Sequence, residues 1–322
     1  ANAYISGPWP RVLRYAMKKG IVVAGSINID MVFSLPRLPL QGETVSGGSF
    51  AAHPGGKGAN QAVAAARLGA PTVFLGCVGE DSWGDFLLAG LQQAGVDCSY
   101  VTKVPGPSGC AGIYVAAGGE NMIAVATGAN SHTTPEKVIR AREVFSTARV
   151  LMTQLEIPVE TVAAALELAK SAGLISILDP APVKALTPEM LSLVDYITPN
   201  ALEASELTGI DVHCWNTADQ AARKLRSMGP ETVIITMGKQ GAFFSGPQGH
   251  VRILAPRVVA VDSTAAGDAF NAALAVALAQ GTEPDIAADI AAAAGALAVS
   301  RAGAQPSLPT LEELAQVVKL PW

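Results

Sequence analysis

The sequence predicts an α/β fold: a three-layer α/β/α sandwich around a mostly parallel central sheet. Apolar runs rich in β-branched residues alternate along the chain with Ala/Leu-rich stretches of helical length. Strands separated by such helices form right-handed βαβ units. The composition agrees, because half of the residues are apolar and only 5% are aromatic, which suits helices on a sheet better than a β-sandwich.

Each element follows from this alternation. The predicted strands are 21–25, 72–78, 150–155, 175–178, 196–199 and 233–236. The predicted helices are 60–68, 162–172, 218–228 and two Ala-rich helices after residue 264. The small side chains of the last two indicate close packing against each other.

Two stretches, 31–53 and 109–126, interrupt the alternation with strand-like residues and Pro/Gly turns but no helical pattern. We expect them to form a small antiparallel β element over the sheet edge, a discontinuous lid above a substrate site. The alternative is two long irregular loops, although loops of that length usually serve a function. Together with this lid, residues 20–322 read as one domain.

Residues 1–19 read as an N-terminal extension, with four basic residues and no acid before Asp30. A tag, a targeting remnant or a non-conserved segment would each fit.

The net charge of −5 disfavours a nucleic-acid partner, and no apolar run has the length of a membrane span. Four cysteines without CxxC spacing indicate neither a zinc site nor a disulfide framework, so we expect a cytoplasmic protein.

The segment 261–271 (VDSTAAGDAFN) is the most informative motif. Small residues at Ala265, Ala266 and Gly267 open a predicted helix, where unpaired N–H groups and the helix dipole favour an anion. Asp268 then places a carboxylate beside that anion, where a substrate hydroxyl could lose its proton. The pattern suggests phosphoryl transfer, and the alternative is an ordinary helix cap.

Glycine-containing segments elsewhere in the sequence disfavour two common nucleotide-binding folds. The run 55–60 (GGKGAN) has Gly58 where a Walker A loop needs Ser or Thr, and its upstream glycine is missing. The first strand is followed by 25–28 (GSIN) rather than by GxGxxG, which disfavours a dinucleotide-binding Rossmann site.

Polar residues after strands mark further candidate contacts. Asn28 and Asp30 end the first predicted strand on one face and could share a ligand, with an Asx turn as the alternative. Asn200 and Glu203 follow another strand and form either a capping box or a phosphate and Mg²⁺ site. Residues 236–241 (TMGKQG) form a turn that could hold a nucleotide or close a plain hairpin.

In this order, the motifs resemble the ribokinase-like (PfkB) family of sugar kinases from about residue 20 to about residue 307. The matching segments are 25–30 (GSINID), 41–45 (QGETV), 55–70 (GGKGANQAVAAARLGA), 77–84 (CVGEDSWG), 118–121 (GGEN), 154–156 (QLE), 197–209 (ITPNALEASELTG), 261–274 (VDSTAAGDAFNAAL) and 301–307 (RAGAQPS). The resemblance implies an α/β/α fold with a β lid and the transfer of phosphate from ATP to a sugar hydroxyl.

The resemblance also implies roles by position. Asp268 is the implied base, and the backbone of Ala265, Ala266 and Gly267 is the implied anion hole. The implied sugar contacts are Asn28, Asp30, Gly56, Lys57, Asn60, Glu156 and Asp268. The implied ATP contacts are Asn200, Thr236, Gly238, Gly241 and Gly267, with Glu203 linked to Mg²⁺. An activating K⁺ is implied near Asp262, Thr264, Ala298, Arg301, Gly303 and Ser307. Ala292 stands where the family often has a polar residue near the adenine.

Asn28 and Asp30, without a large aromatic partner, suit a small polyol, so we expect D-ribose to be converted to D-ribose 5-phosphate. The alternatives are 2-deoxyribose, fructose, a nucleoside, or a non-catalytic sugar-binding regulator. Members of the family often pair their lids, which leads us to expect a homodimer. An NAD-linked oxidoreductase is disfavoured by the missing glycine fingerprint.

Overall fold

The computed structural model describes residues 20–322, and the predicted extension 1–19 lies outside them. A nine-stranded sheet forms the centre. Its strands are β1 (Gly20–Ala24), β4 (Thr72–Gly79), β5 (Asp97–Val104), β8 (Ala148–Gln154), β9 (Ile175–Asp179), β10 (Tyr196–Ile197), β11 (Thr232–Thr236), β12 (Ala242–Gly246) and β13 (Gly249–Ile253). They lie across the sheet in the order β13-β12-β11-β10-β9-β8-β1-β4-β5. The pairs β11–β12 and β12–β13 are antiparallel, and the other pairs of this sheet are parallel.

Helices cover both faces of this sheet. They are α1 (Lys57–Arg67), α2 (Ser82–Gln93), α3 (Pro135–Arg140), α4 (Arg142–Phe145), α5 (Val159–Ala172), α6 (Pro188–Leu191), α7 (Ala201–Thr208), α8 (Trp215–Ser227), α9 (Ala266–Ala279), α10 (Pro284–Val299) and α11 (Leu311–Val317). Within residues 20–322, no helix combines the length and apolar character needed to cross a membrane.

The alternation of side chains along β1 builds the three layers. Ile21 and Val23 join a core with α1, α9 and α10, whereas Val22 and Ala24 join a second core with α5 and α8. A strand buried on both faces reads as a continuous apolar run, which is the pattern found in the sequence. The predicted fold class is therefore confirmed, and the two Ala-rich helices α9 and α10 pack together as expected.

A second, four-stranded sheet accounts for the two stretches without helical pattern. Its strands are β2 (Asn28–Leu35), β3 (Ser49–Gly55), β6 (Gly109–Ala116) and β7 (Asn121–Ala126), in the order β3-β2-β6-β7. The prediction of a purely antiparallel element is wrong, because the central pair β2 and β6 is parallel. Each of these two strands directly follows a parallel strand of the large sheet, β1 or β5, so both enter the small sheet in the same direction.

The predicted placement of Asn28 and Asp30 also needs correction. Neither residue belongs to the first strand of the large sheet, which ends at Ala24. Both lie on β2 of the small sheet, after a three-residue connection. They keep the alternate positions that give them a common face.

Close contact between α1 and the end of β1 depends on a residue without a side chain. A Cβ at Gly58 would lie 2.6 Å from the backbone nitrogen of Ser26 and 2.7 Å from the carbonyl carbon of Gly25. At Gly90, in the interior of α2, a Cβ would meet no atom within 4 Å. The two helical glycines therefore allow the same Gly→Ala change to be compared at a crowded position and at an open one.

We predict opposite effects on stability for Gly58→Ala and Gly90→Ala. Gly58→Ala should lower the free energy of unfolding by about 1–3 kcal/mol, because backbone atoms must move apart. Gly90→Ala should raise it by roughly 0.5–1 kcal/mol through the better helix propensity of alanine. Chemical denaturation of both variants tests this, and a Gly58→Ala protein as stable as the parent would contradict the packing.

Candidate active site

The candidate site is centred on Asp268, in the first turn of α9 and only 5% exposed. Its carboxylate accepts one hydrogen bond from Asn60 Nδ2 at 2.9 Å and another from Gln61 Nε2 at 3.2 Å. Burial raises the pKa of Asp268, while Lys57 and the two amide donors oppose that rise. The carboxylate is thus desolvated but held as a hydrogen-bond acceptor.

The N-terminus of α9 is open beside this carboxylate. Ala265 is the N-cap and has a left-handed φ of 59°, the one non-glycine in the described chain with positive φ. The first bond of the helical ladder runs from the Ala269 N–H to the Ala265 carbonyl, so the N–H groups of Gly267 and Asp268 precede it. Ala265 and Gly267 line a cavity together with Asp268. Such an opened helix end can bind an anion.

Glu156 and Lys57 meet near Asp268. A carboxylate oxygen of Glu156 accepts from the Lys57 backbone N–H at 3.0 Å and from the Ser26 hydroxyl. The Lys57 ammonium lies 3.8 Å from Oδ2 of Asp179. Attraction to Asp179, and more weakly to Asp268 and Glu156, raises the pKa of Lys57 and keeps it charged.

The small sheet brings Asn28 and Asp30 to the same place. Asn28 Oδ1 accepts from Asn130 Nδ2 at 2.7 Å. Gly56 must be a glycine here, because its φ is +88° and a Cβ would lie 2.7 Å from the Asn28 nitrogen. Burial, with the nearby charges of Glu156 and Asp268, raises the pKa of Asp30 to about 7.

Three buried amide oxygens in this region have no partner in the described residues: Oδ1 of Asn60, Oδ1 of Asn271 and Oε1 of Gln154. Buried acceptors are costly to leave unpaired, so they suit a bound molecule that donates hydrogen bonds. The structure thus gathers the six other residues predicted to contact a sugar around the Asp268 carboxylate.

The predicted nucleotide residues lie around two cavities of about 540 Å³ and about 590 Å³. The residues that line both cavities are Thr236, Gly238, Ser263, Gly267 and Phe270. The first cavity holds the polar groups Lys57, Asp179, Asn200, Glu203 and Asp268. The two spaces therefore share one wall, which runs from the open helix end to the turn after β11.

The second cavity is mainly apolar. Its side chains include Pro256, Val258, Ala292, Ala296 and Val299, and Gly241 completes the wall at the turn. This turn connects β11 to the antiparallel β12, so the hairpin interpretation of residues 236–241 is confirmed, and its contact with a nucleotide stays a prediction. An apolar slot next to a polar cavity fits a molecule with a flat base and a charged tail.

Asn200 and Glu203 form a capping box at the start of α7. Asn200 Oδ1 accepts from the Glu203 N–H at 2.9 Å, and the Glu203 carboxylate accepts from the Asn200 N–H at 2.7 Å. Both residues also line the first cavity. The capping interpretation is therefore confirmed, and the phosphate and Mg²⁺ interpretation stays a prediction.

The Asp262 carboxylate links two other residues of the predicted cation site, Thr264 and Gly303. One carboxylate oxygen accepts from the N–H of Thr264 at 2.9 Å and from its hydroxyl, and the other accepts from the Gly303 N–H at 2.8 Å. The Arg301 N–H donates to the Ala298 carbonyl at 3.1 Å. Ser307 is buried at the end of the same segment and donates to the Ala304 carbonyl.

Sequence reasoning missed two residues at the centre of the site. Gln61 follows Asn60 directly, but a helical amide carries no signal of its own. Asp179 ends β9 at the carboxyl edge of the sheet, which is the signal that could have indicated it. Burial and the negative charge of Asp268, only partly offset by Lys57, raise the pKa of Asp179 to about 7.

A buried carboxylate facing an open helix end, at the carboxyl edge of a parallel sheet, fits an enzyme that moves an anionic group between small molecules. Comparison with known proteins agrees with this class. Residues 18–311 match the family model described as pfkB family carbohydrate kinase. The chain belongs to this family of carbohydrate kinases, and the predicted family is confirmed.

Two relatives and one solved structure show more closely what the chain is similar to. A ribokinase of Haemophilus influenzae is 43% identical over 300 residues, covering 92% of this chain and 97% of its own. A deoxyribokinase of Salmonella typhi is 36% identical, covering 93% and 99%. The structure of Arabidopsis thaliana ribokinase complexed with ribose and ATP superposes with a TM-score of 0.88 at 34% identity, covering 94% and 99%.

Proposed function

We propose that the chain phosphorylates D-ribose with ATP to give D-ribose 5-phosphate. One observation carries the proposal: the buried Asp268 carboxylate lies directly beside the open N-terminus of α9, with hydrogen-bonding side chains around it. The ribokinase relatives, at up to 43% identity over nearly the whole chain, support the choice of sugar.

In the proposed reaction, Asp268 accepts the proton of the 5-hydroxyl as that oxygen attacks the γ-phosphorus of ATP. The bond from phosphorus to the bridging oxygen breaks, and ADP leaves with the electron pair. The backbone N–H groups of Ala265, Ala266 and Gly267 stabilise the charge on the transferred group. The raised pKa of Asp268 makes its carboxylate a stronger base.

The sugar is proposed to lie between β2 and α1. Asn28, Asp30, Asn60 and Glu156 offer amide and carboxylate groups to its hydroxyls, and the unpaired oxygen of Asn60 has room for one more donor. We further propose that 20–322 is one kinase domain and that its small sheet is the lid, because β2 carries Asn28 and Asp30 into the site.

A deoxyribose kinase is the second candidate, favoured by the deoxyribokinase relative at 36% identity. A site built to bond each hydroxyl rejects an analogue that lacks one, because its own polar groups are left unpaired. The buried acceptors of Asn60 and Asn271, without partners in the described chain, favour the sugar with more hydroxyl groups.

We propose that ATP extends its base into the apolar cavity beside Ala292 and its phosphates toward Gly267. Thr236, Gly238 and Gly241 would line its path, and Asn200 would face the phosphates. In the described residues, no cluster of three or more His, Cys, Asp or Glu is arranged to hold a metal. Mg²⁺ usually keeps several waters and binds substrate phosphates, so the single carboxylate of Glu203 fits such an ion.

Ribose-dependent release of ADP tests the function, together with Asp268→Asn. The asparagine keeps the shape but cannot take the proton, so kcat should fall by about 10²–10⁴-fold. The KM for ribose should change little. Asp85→Asn, an exposed carboxylate on α2, is the matched control and should behave as the parent.

Two results would contradict these assignments separately. An Asp268→Asn enzyme with the parent's kcat would exclude Asp268 as the base. A parent that releases ADP with 2-deoxyribose or fructose but not with ribose would leave the kinase intact and exclude ribose as substrate.

We propose that K⁺ activates the enzyme at the segment held by Asp262. The two carboxylate oxygens of Asp262 link Thr264, just before the open helix end, to Gly303. A cation bound among the carbonyls of this segment would fix the N–H groups of α9 without taking part in the chemistry. Ala298, Arg301 and Ser307 belong to the proposed ligand set.

Exchanging K⁺ for tetramethylammonium should therefore lower kcat severalfold at saturating ribose and ATP. Asp262→Asn keeps only one acceptor oxygen for the N–H groups of Thr264 and Gly303, so half-maximal activation should need more K⁺. Asp285→Asn, in the first turn of α10, is the control. Equal rates with and without K⁺ would refute the cation site.

We propose that the small sheets of two protomers pair into a homodimer. All six residues of β7 are exposed, and Ile123 has 60% and Val125 53% of its surface accessible. This strand forms one edge of the small sheet, and exposed apolar edges favour association.

We also propose that the protein is cytoplasmic, because its four cysteines are free thiols.

Sedimentation velocity should show a dimer that Ile123→Lys converts to a monomer, because the lysine charge opposes burial of that edge. Ile139→Lys, an exposed position on α3, should remain dimeric. A monomeric parent protein would exclude the dimer, and a dimeric Ile123→Lys variant would exclude this edge.

A further inference from the structure

A single side chain, Gln61 on α1, connects two carboxylates from distant parts of the chain. Its amide nitrogen donates to Asp179 Oδ2 at 3.0 Å and to Asp268 Oδ1 at 3.2 Å. The side chain is 1% exposed and does not line either of the two cavities. It therefore touches the groups around the substrate site without facing the space for substrate.

A hydrogen bond from Gln154 fixes the orientation of the Gln61 amide. Gln154 at the end of β8 donates from Nε2 to the Gln61 Oε1 at 2.6 Å. A reversed amide would place its oxygen against two carboxylates and its nitrogen against a donor. A Cβ at Gly25 would lie 2.2 Å from the Gln154 Oε1, so the absence of a side chain there makes room for Gln154.

Asp179 extends the connection to Lys57, whose ammonium lies 3.8 Å from Oδ2, the oxygen that also accepts from Gln61. A continuous path thus runs from Lys57 through Asp179 and Gln61 to Asp268. We propose that Gln61 is a positioning residue, which holds the base Asp268 and the Lys57–Asp179 ion pair in one fixed relative geometry. This inference rests on the proposed function only in taking Asp268 as the base.

Electrostatics give the path a measurable consequence. The N–H of Gln61 stabilises the ionised form of Asp268 and so lowers its pKa, against the rise caused by burial. The other charged groups that act on this carboxylate or respond to it are Asp30, Lys57, Glu156 and Asp179. Removing the Gln61 donor should leave the pKa of Asp268 higher than in the parent.

Gln61→Met tests the donor, because methionine has a similar length and no N–H group. We expect kcat to fall by about 10- to 100-fold, as for a small displacement of a reacting group. The KM for the sugar should stay close to the parent value. The acid limb of the kcat–pH profile should move to higher pH, since the base must be ionised to act. Thr161→Val, which removes a buried hydroxyl bond on α5, is the near-isosteric control and should shift neither.

Asp179→Asn tests the same path in the opposite direction, and it does so even if Gln61→Met fails to fold. The amide introduced by this substitution can still accept from Gln61 through its oxygen but no longer repels the negative charge of Asp268. Lys57 lowers the pKa of Asp268, and in this variant its positive charge is no longer balanced by Asp179, so the pKa of Asp268 falls. The acid limb should therefore move to lower pH. A general loosening of the site would not produce shifts of opposite sign in the two variants.

Several results would overturn the proposal. An unmoved acid limb in a folded Gln61→Met enzyme, or the same shift in Thr161→Val, would leave Gln61 as a space-filling residue only. An Asp179→Asn enzyme whose kcat–pH profile keeps the acid limb of the parent would show that Asp179 does not act on the base. The profiles are measured with the sugar that the parent phosphorylates fastest, so failure of ribose as substrate would be recognised separately in the parent enzyme.

Discussion

Burial of the Asp268 carboxylate at the start of α9 is the constraint on which the rest of the site depends. A carboxylate taken out of water needs donors and a nearby cation, or it becomes protonated. The donors Asn60 and Gln61 and the cation Lys57 all come from α1, so α1 and α9 must lie close together. Their many alanines and glycines make that approach possible, which explains a composition rich in small residues at the centre of the molecule.

The layered fold could be predicted because it follows from short-range patterns. Strands buried on both faces appear as apolar runs, and amphipathic helices appear between them, so both are visible within a few residues. The capping box of Asn200 and Glu203 joins residues only three positions apart, so it could also be predicted from the local sequence. The gathering of the predicted sugar residues could be expected only through the resemblance to a family, since β2, α1 and the end of β8 are far apart along the chain.

What the sequence could not show was pairing between distant positions. Gln61 is separated by 118 residues from Asp179 and by 207 from Asp268, and nothing in its immediate neighbours indicates either partner. The same reason explains the direction of β2 against β6, which depends on how both strands leave the large sheet. Asn28 and Asp30 were assigned to the wrong strand because the break after Ala24 is only three residues long.

The junction between the small sheet and α1 has a mechanical consequence. β3 ends at Gly55 and α1 begins at Lys57, so Gly56 alone separates the two elements. A rotation of the small sheet must be absorbed at this one residue of positive φ or passed on to the helix that carries Lys57 and Gln61. The torsions of Gly56 therefore couple the orientation of the sheet that carries Asn28 and Asp30 to that of the helix that carries Lys57 and Gln61.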